Sequence, residues 1–226
     1  KLASLGQLAA GVAHELHNPL STILLFSDVL LRECDPDDRT YSDLQTIVRE
    51  TNRCKTIVGS LLDFARQHKV EAQVIDINSF IQTVIGIEKK HKRYENISIE
   101  TDLAKDLPSI QADPAQLQAV VTNLMENAAE AMPEGGLIKI KTSPGPVGRI
   151  TISLEDSGEG IPEENLPKLF TPFFTTKPVG RGTGLGLAIV YGIVKMHRGQ
   201  IDIQSEVGKG TVVRVTLPQQ LADFEN

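Results

Sequence analysis

Near the start of the chain, His14-Glu15-Leu16-His17-Asn18-Pro19-Leu20 gathers groups that could do chemistry. A neutral imidazole nitrogen is a fair nucleophile, and a carboxylate bonded to the opposite ring nitrogen fixes the tautomer and raises basicity. Glu15 is the nearest carboxylate. Asn18, one turn on, could orient a water. Pro19 has no backbone donor, so a helix is expected to bend just beyond the histidines. A zinc-protease helix needs H-E-x-x-H, but the fifth position is Asn18 and His17 falls one residue short, so that reading fails. A lone exposed histidine is usually only a solvated side chain. Periodicity leaves open which histidine acts.

Three further clusters lie toward the C-terminus. In Asn123-Leu124-Met125-Glu126-Asn127, the two asparagines are four apart and share a helix face. Their amide oxygens are hard, neutral donors suited to Mg²⁺, which takes few protein ligands and keeps waters and phosphates. Asp156-Ser157-Gly158-Glu159-Gly160 ends a strand, where an aspartate could accept from the exocyclic amine of adenine. Gly180-Arg181-Gly182-Thr183-Gly184-Leu185-Gly186 leads into a helix, so backbone N–H groups and the helix dipole could converge on phosphate. Each alone has an ordinary structural reading: surface amides, a tight turn, a flexible loop. The last is neither a Rossmann loop, since no strand precedes it, nor a Walker loop, since Gly-Lys-Ser/Thr is missing.

These groups need elements to carry them. Leu5, Ala9, Val12, Leu16, Pro19, Ile23, Phe26 and Leu30 recur at heptad spacing, the seam of a bundle helix. Val12 is a d position, which puts His14 at f and His17 at b, both on the solvent side. Asp35-Pro36-Asp37-Asp38 breaks the pattern. Leu44, Ile47, Thr51, Cys54, Val58, Leu61 and Ala65 form a second seam. The two helices make an antiparallel hairpin that cannot bury both faces alone, so a homodimeric four-helix bundle is expected. Leu24 and Leu25 lie off the seam, as wider packing or as part of a docking patch.

The heptads end near residue 67, so the expected organisation is a hairpin over 1–68, a linker over 69–75, a second domain over 76–220 and a tail over 221–226. Asn78-Ser79 could cap a helix over Phe80–Lys92. Ile97–Thr101, Leu137–Thr142 and Arg149–Asp156 alternate as strands. Asp113-Pro114 opens a helix through Ala131. Leu185–His197 reads as a helix, and Gln200–Ser205 with Thr211–Leu217 as a hairpin about Gly208-Lys209-Gly210. The fold class is α plus α+β, a helical hairpin followed by an α/β sandwich with a mixed sheet.

At 226 residues the chain can hold two cores, and 40% apolar content argues against disorder. The formal charge of −6 disfavours nucleic acid as a partner. No apolar run reaches the roughly 20 residues of a bilayer span. Nothing reads as a signal peptide, and Lys1 already falls in helical pattern. The chain reads as a cytoplasmic fragment, with any sensor or membrane anchor upstream. Cys34 beside the turn and Cys54 about 14 residues along the second helix, roughly 21 Å away, cannot reach each other and are expected reduced.

The stretch from His14 to Leu20 resembles the H-box of the dimerising histidine kinases, H-E-hydrophobic-x-N-P-L. The later clusters, in this order and spacing, resemble the N, G1, F and G2 boxes of the kinase ATP-binding domain. The likeness covers nearly the whole chain. It implies that His14 is the phosphoacceptor, with Glu15 and Asn18 beside it, and that His17 fills a variable position. It implies ATP and Mg²⁺, with Asn127 on the metal, Asn123 supporting the phosphates and Asp156 reading adenine between Gly158 and Gly160. Phe170, Phe173 and Phe174 would anchor a mobile lid whose phosphate-side hinge is Gly182, Gly184 and Gly186, with Thr183 and Leu185 among the nucleotide-binding residues and Lys177 and Arg181 as phosphate contacts or simply solvated lid side chains. Many relatives have lysine three residues past the metal asparagine. Here it is Glu130.

The implied activity is autophosphorylation of His14 and transfer to an aspartate of a response-regulator receiver domain, with Asn18 pointing also to phosphatase action. Two other classes compete. One is an ATPase of the same superfamily, although chaperones, gyrases and mismatch-repair proteins carry a glutamate base where this chain has Asn123. The other is a nucleotide-binding regulatory module or an anti-sigma type serine kinase.

Overall fold

The computed structural model describes residues 2–66, 70–146, 148–177 and 182–221, with the backbone alone at 2–15, 17, 56, 57 and 60–66. The chain divides into two compact units, Lys1–His68 with Thr175–Leu185, and Lys69–Phe174 with Gly186–Asn226.

The first unit is built on α1 (Leu2–Glu33) and α2 (Arg39–Arg66). Asp38 stops the turn between them by accepting from the N–H and hydroxyl of Thr40. α1 runs on through Pro19 as one helix. Among the described side chains withdrawn from solvent are Leu20, Leu24, Ser27 and Leu31 on α1, with Cys34 just past its end, and Tyr41, Leu44, Val48, Thr51, Lys55 and Val58 on α2. Both sets keep the four-three step of a helix pair. The seam expected on α1 from Leu16, Ile23, Phe26 and Leu30 is instead exposed in a single copy. Two apolar stripes run along α1, and the hairpin consumes the other one. No helix among the described residues is long and apolar enough to cross a membrane.

The second unit is an α/β sandwich. Its mixed sheet runs in the order β2-β4-β5-β7-β6, from β2 (Ile97–Leu103), β4 (Gly136–Pro144), β5 (Arg149–Asp156), β6 (Gln200–Glu206) and β7 (Gly210–Pro218). β2 and β4 are parallel and the remaining pairs antiparallel. Strands alternate in burial: Ile150, Ile152, Leu154 and Asp156 face inward on β5, and Thr211, Val213, Val215 and Leu217 on β7. The inward face is covered by α3 (Ile77–Glu88), α4 (Pro114–Glu130) and α5 (Gly186–Met196), whose buried residues are nearly all aliphatic.

Residues 73–75, within the stretch expected as linker, form β1 (Gln73–Ile75), paired antiparallel with β3 (Ile110–Ala112). Helix α3 starts earlier than expected because its cap is Asp76, which accepts from the Ser79 N–H at 2.7 Å. Asn78 is drawn elsewhere, donating to the Ala104 carbonyl and accepting from Thr142 Oγ1, both at 2.8 Å. The helix also stops at Glu88, and Lys92–Tyr94 is a separate 3-10 turn. Cys34 and Cys54 are free thiols.

Candidate nucleotide-binding site

Strand β5 delivers Asp156 to the interior. The same period-two alternation that buries Ile150, Ile152 and Leu154 turns the aspartate inward, and it is only 7% exposed. Its register partner on β7 is Thr211. Asp156 Oδ1 accepts from the Gly158 N–H at 2.9 Å and the Thr211 N–H at 3.2 Å. Among the described residues nothing donates to Oδ2, so one carboxylate oxygen is left for a ligand. Burial pushes this carboxyl up from its ordinary range, against the opposing pull of the two N–H groups. A buried acceptor with one open oxygen suits a neutral donor such as a purine amine.

The loop after Asp156 is fixed on both sides. The Glu159 N–H donates to the Ala131 carbonyl at the end of α4, and the Gly208 N–H donates to the Glu159 carbonyl. Gly160 has φ +72, and a Cβ there would collide with the Glu206 carbonyl, so this turn admits only glycine. Ser205 Oγ accepts from the Ile161 N–H at 2.8 Å and also meets the Gly210 carbonyl and the Thr211 hydroxyl. Thr211 and Ser205 were not singled out from the sequence. Continuing the alternation of Leu217, Val215 and Val213 to Thr211 would have put that residue on the buried face.

Helix α4 carries the two asparagines. Its N-cap, Asp113, accepts from the N–H groups of Ala115 and Gln116. Asn123 donates from Nδ2 to the Ala119 carbonyl at 2.8 Å, which orients Oδ1 away from its own helix. That oxygen faces the start of α5. A Cβ on Gly186 would stand 2.7 Å from Asn123 Oδ1 and 3.9 Å from Asn127 Nδ2. Gly186 therefore lets the positive end of the α5 dipole approach both amides. Two neutral amides beside a helix N-terminus fit a hard cation that arrives with phosphates. No cluster of three or more His, Cys, Asp or Glu side chains that could hold a metal occurs among the described residues.

The structure thus groups Asn123, Asn127, Asp156, Gly158, Gly160 and Gly186 in the sandwich unit. Phe170 belongs there too, its ring 5.0 Å from that of Tyr191 on α5, with Lys195 Nζ 5.2 Å from the Tyr191 ring on its own account. Phe173 is 60% exposed with φ +67, so of the three phenylalanines it is the one that faces water. Glu130 is exposed. Gly182, Thr183, Gly184 and Leu185 fall in the other unit, where the Leu185 N–H donates to Thr183 Oγ1 at 3.3 Å. Lys177 is half-buried there, its N–H donating to Thr175 Oγ1. Arg181 lies outside the described residues. His14, Glu15 and His17 ride on α1, but their side chains lie outside the described residues. Asn18 is exposed, and its carbonyl accepts from Thr22 Oγ1.

Residues 4–69 match the His Kinase A (phospho-acceptor) domain, and residues 112–221 match the family described as histidine kinase-, DNA gyrase B-, and HSP90-like ATPase. The sensor kinase CckA of Brucella abortus is 37% identical over 99% of this chain and 25% of its own length. The sensor histidine kinase ZraS of Escherichia coli is 37% identical over 96% of this chain and 46% of its own. The chain thus spans between a quarter and a half of these longer relatives. The catalytic domain of histidine kinase ThkA superposes with a TM-score of 0.60 at 33% identity, over 66% of this chain and 97% of that one. ThkA in complex with the response regulator protein TrrA gives 0.69 at 30% identity, over 95% of this chain and 62% of that one. The chain belongs to the histidine kinases and carries both halves of their core, a phospho-acceptor hairpin and an ATP-binding domain of the kinase–gyrase–HSP90 type.

Proposed function

We propose that this core uses ATP to phosphorylate its own His14 and then passes the phosphoryl group to an aspartate on a response-regulator receiver domain. The carrying observation is Asp156, a buried carboxylate with Oδ1 saturated and Oδ2 open. That oxygen receives the adenine amine, and Gly158 and Gly160 leave room for the base. Asn123 and Asn127 meet the phosphate end, with Asn127 holding Mg²⁺, which when bound neutralises charge on the phosphates. By the order of the boxes in the sequence, Lys177, Arg181, Thr183, Leu185 and the glycines at 182, 184 and 186, with Phe170, are assigned to nucleotide binding as well.

An imidazole nitrogen of His14 attacks the γ-phosphorus; the N–P bond forms as the β–γ bridge bond breaks, and ADP leaves with the electron pair. Glu15 accepts from the other ring N–H and so keeps the attacking nitrogen unprotonated. In the second step the aspartate oxygen displaces the imidazole from phosphorus. Catalysis of this type is mostly positioning and charge neutralisation, which suits two separate modules. Asn18 orients water for the reverse hydrolysis on the phosphorylated regulator. The exposed stripe of Leu16, Ile23, Phe26 and Leu30 is the seam for a second copy, giving a four-helix bundle. Leu24, half-buried, and Leu25, 62% exposed, border the regulator's docking surface. The core works where ATP is, in the cytoplasm.

Incubation with γ-labelled ATP tests this. The parent should take up label that is acid-labile and base-stable, and pass it to a receiver domain. His14→Ala should take up none. Equal labelling of the His14→Ala chain, or release of free phosphate without labelling, would overturn the proposal.

A further inference from the structure

The sandwich buries a histidine that the proposed chemistry does not use. His197, 1% exposed, is the first residue past the end of α5. Its Nδ1 meets the Ile193 carbonyl at 2.9 Å, and its Nε2 accepts from the Asp113 N–H at 3.0 Å. The second bond requires a lone pair on Nε2, so the ring is neutral with its proton on Nδ1. Asp113 is also the α4 cap, and its Oδ2 accepts from the Glu71 N–H at 3.0 Å. One imidazole therefore joins the C-terminal end of α5 to the N-terminal end of α4.

That end of α5 is held firmly. Arg198, at φ +54, allows the Arg198 N–H to reach the Lys195 carbonyl and the Gly199 N–H to reach the Val194 carbonyl. These two bonds form a Schellman close. The Arg198 carbonyl in turn accepts from Arg149 at the start of β5.

The other end of the same helix is Gly186, which stands against Asn123. From Gly186 to His197 is about 16 Å of helix, and from Asp113 to Asn123 is about 15 Å, at roughly 1.5 Å per residue. The two helices are pinned at both ends over matching lengths. A helix is stiff along its axis, so a slip at His197 would be felt at Gly186, where a clearance smaller than one methyl group separates α5 from the Asn123 amide.

We propose that His197 is a positioning residue of the nucleotide site. Its bond to the Asp113 N–H sets the axial register of α5 on α4, and so places the start of α5 at the phosphate-side asparagines. The inference rests on the ATP-binding reading and assigns no new ligand. It locates the effect on one end of the ligand: adenine is read by Asp156 on β5, which this register does not move, whereas the phosphates and their cation are read by α4 and α5 together.

The test uses the whole chain and two ligands, MgATP by calorimetry and adenosine by ligand-observed NMR. His197→Leu keeps the bulk but loses the acceptor. It should weaken MgATP about tenfold, the loss of one buried hydrogen bond, with adenosine changed less than about twofold. His197→Gln, whose Oε1 can reach the Asp113 N–H, should recover most of the MgATP affinity. His197→Asn is too short to reach it and should behave as the leucine variant does. If the leucine variant does not fold, the asparagine–glutamine pair carries the test. Proportional weakening of both ligands, or equal MgATP affinity in the asparagine and glutamine variants, would overturn the positioning role. A parent chain that binds neither ligand would overturn the ATP reading itself.

Discussion

The two units satisfy their apolar residues in opposite ways. Among its described side chains the hairpin buries only Ser27, Leu44, Thr51 and Val58, two of them polar, and leaves Leu16, Ile23, Phe26, Leu30 and Ile47 exposed. The sandwich encloses Ile81, Met125, Ile138, Ile150 and Val190 almost completely. A sheet covered by helices completes a core within one chain, whereas two helices have only one mutual stripe. The hairpin thus leaves an apolar stripe uncovered within one chain, whereas the sandwich covers its own. Signalling proteins profit from that contrast, because an assembly surface and a ligand pocket can be tuned separately.

The contrast can be broken most severely on the exposed stripe. Phe26→Asp would bury a charge against a second copy, at a cost of several kcal/mol per interface, while one free copy would barely notice. Sedimentation should show loss of the dimer with the sandwich still melting as the parent does. A parent that is already monomeric would remove the basis for the contrast. In the sandwich, Met125→Ala should cost about 2–5 kcal/mol, read by urea titration of the chain, with the dimer unaffected.

Asp156→Asn sharpens the distinction between stability and binding. Asn Oδ1 can still accept from Gly158 and Thr211, but its Nδ2 would face the adenine amine donor to donor. Nucleotide affinity should fall about a hundredfold. Stability at neutral pH should hold or rise, because a buried charge is removed. The sign follows from the raised pKa. The folded state holds the Asp156 proton more tightly than the unfolded state, so the associated stability is complete below the unfolded value of about 3.9 and is lost as pH rises through the folded value. The asparagine variant should lack that component in melting temperature against pH. The smallest effect is expected at Arg93–Glu126, a 2.7 Å pair on the outer side of α4 with both partners partly exposed. Arg93→Ala should cost under about 1 kcal/mol and less in high salt.

Legibility from sequence followed the range of the interaction involved. Arg149–Asp156 was readable to the residue, because alternation is a property of neighbours. β1 and β3 were not readable: three residues carry too little periodicity, and each exists because the other pairs with it. The cap of α3 was misplaced because Asp76, Asn78 and Ser79 are all competent caps. Asn78 lost that role to a pair of bonds with Ala104 and Thr142, distant in sequence. On α1 the expected heptad stripe of Leu16, Ile23, Phe26 and Leu30 is left exposed, because two stripes fit a bundle helix and only packing against α2 decided which one closes within the chain. At the site, the boxes named Asn123, Asn127, Asp156 and Gly186, yet nothing local indicated that Thr211 would sit opposite Asp156, or that Gly186 would meet Asn123.

By itself the sequence determined which residue types could act, where helices and long strands run, and that two differently patterned segments follow one another. Those properties depend on side-chain chemistry and on contacts within a turn or two. The tertiary structure alone decided that Asp156 keeps one oxygen open, that α1 turns Phe26 outward, and that His197 ties α5 to α4. Each of these is set by a partner tens of residues away, and no local period encodes such a partner.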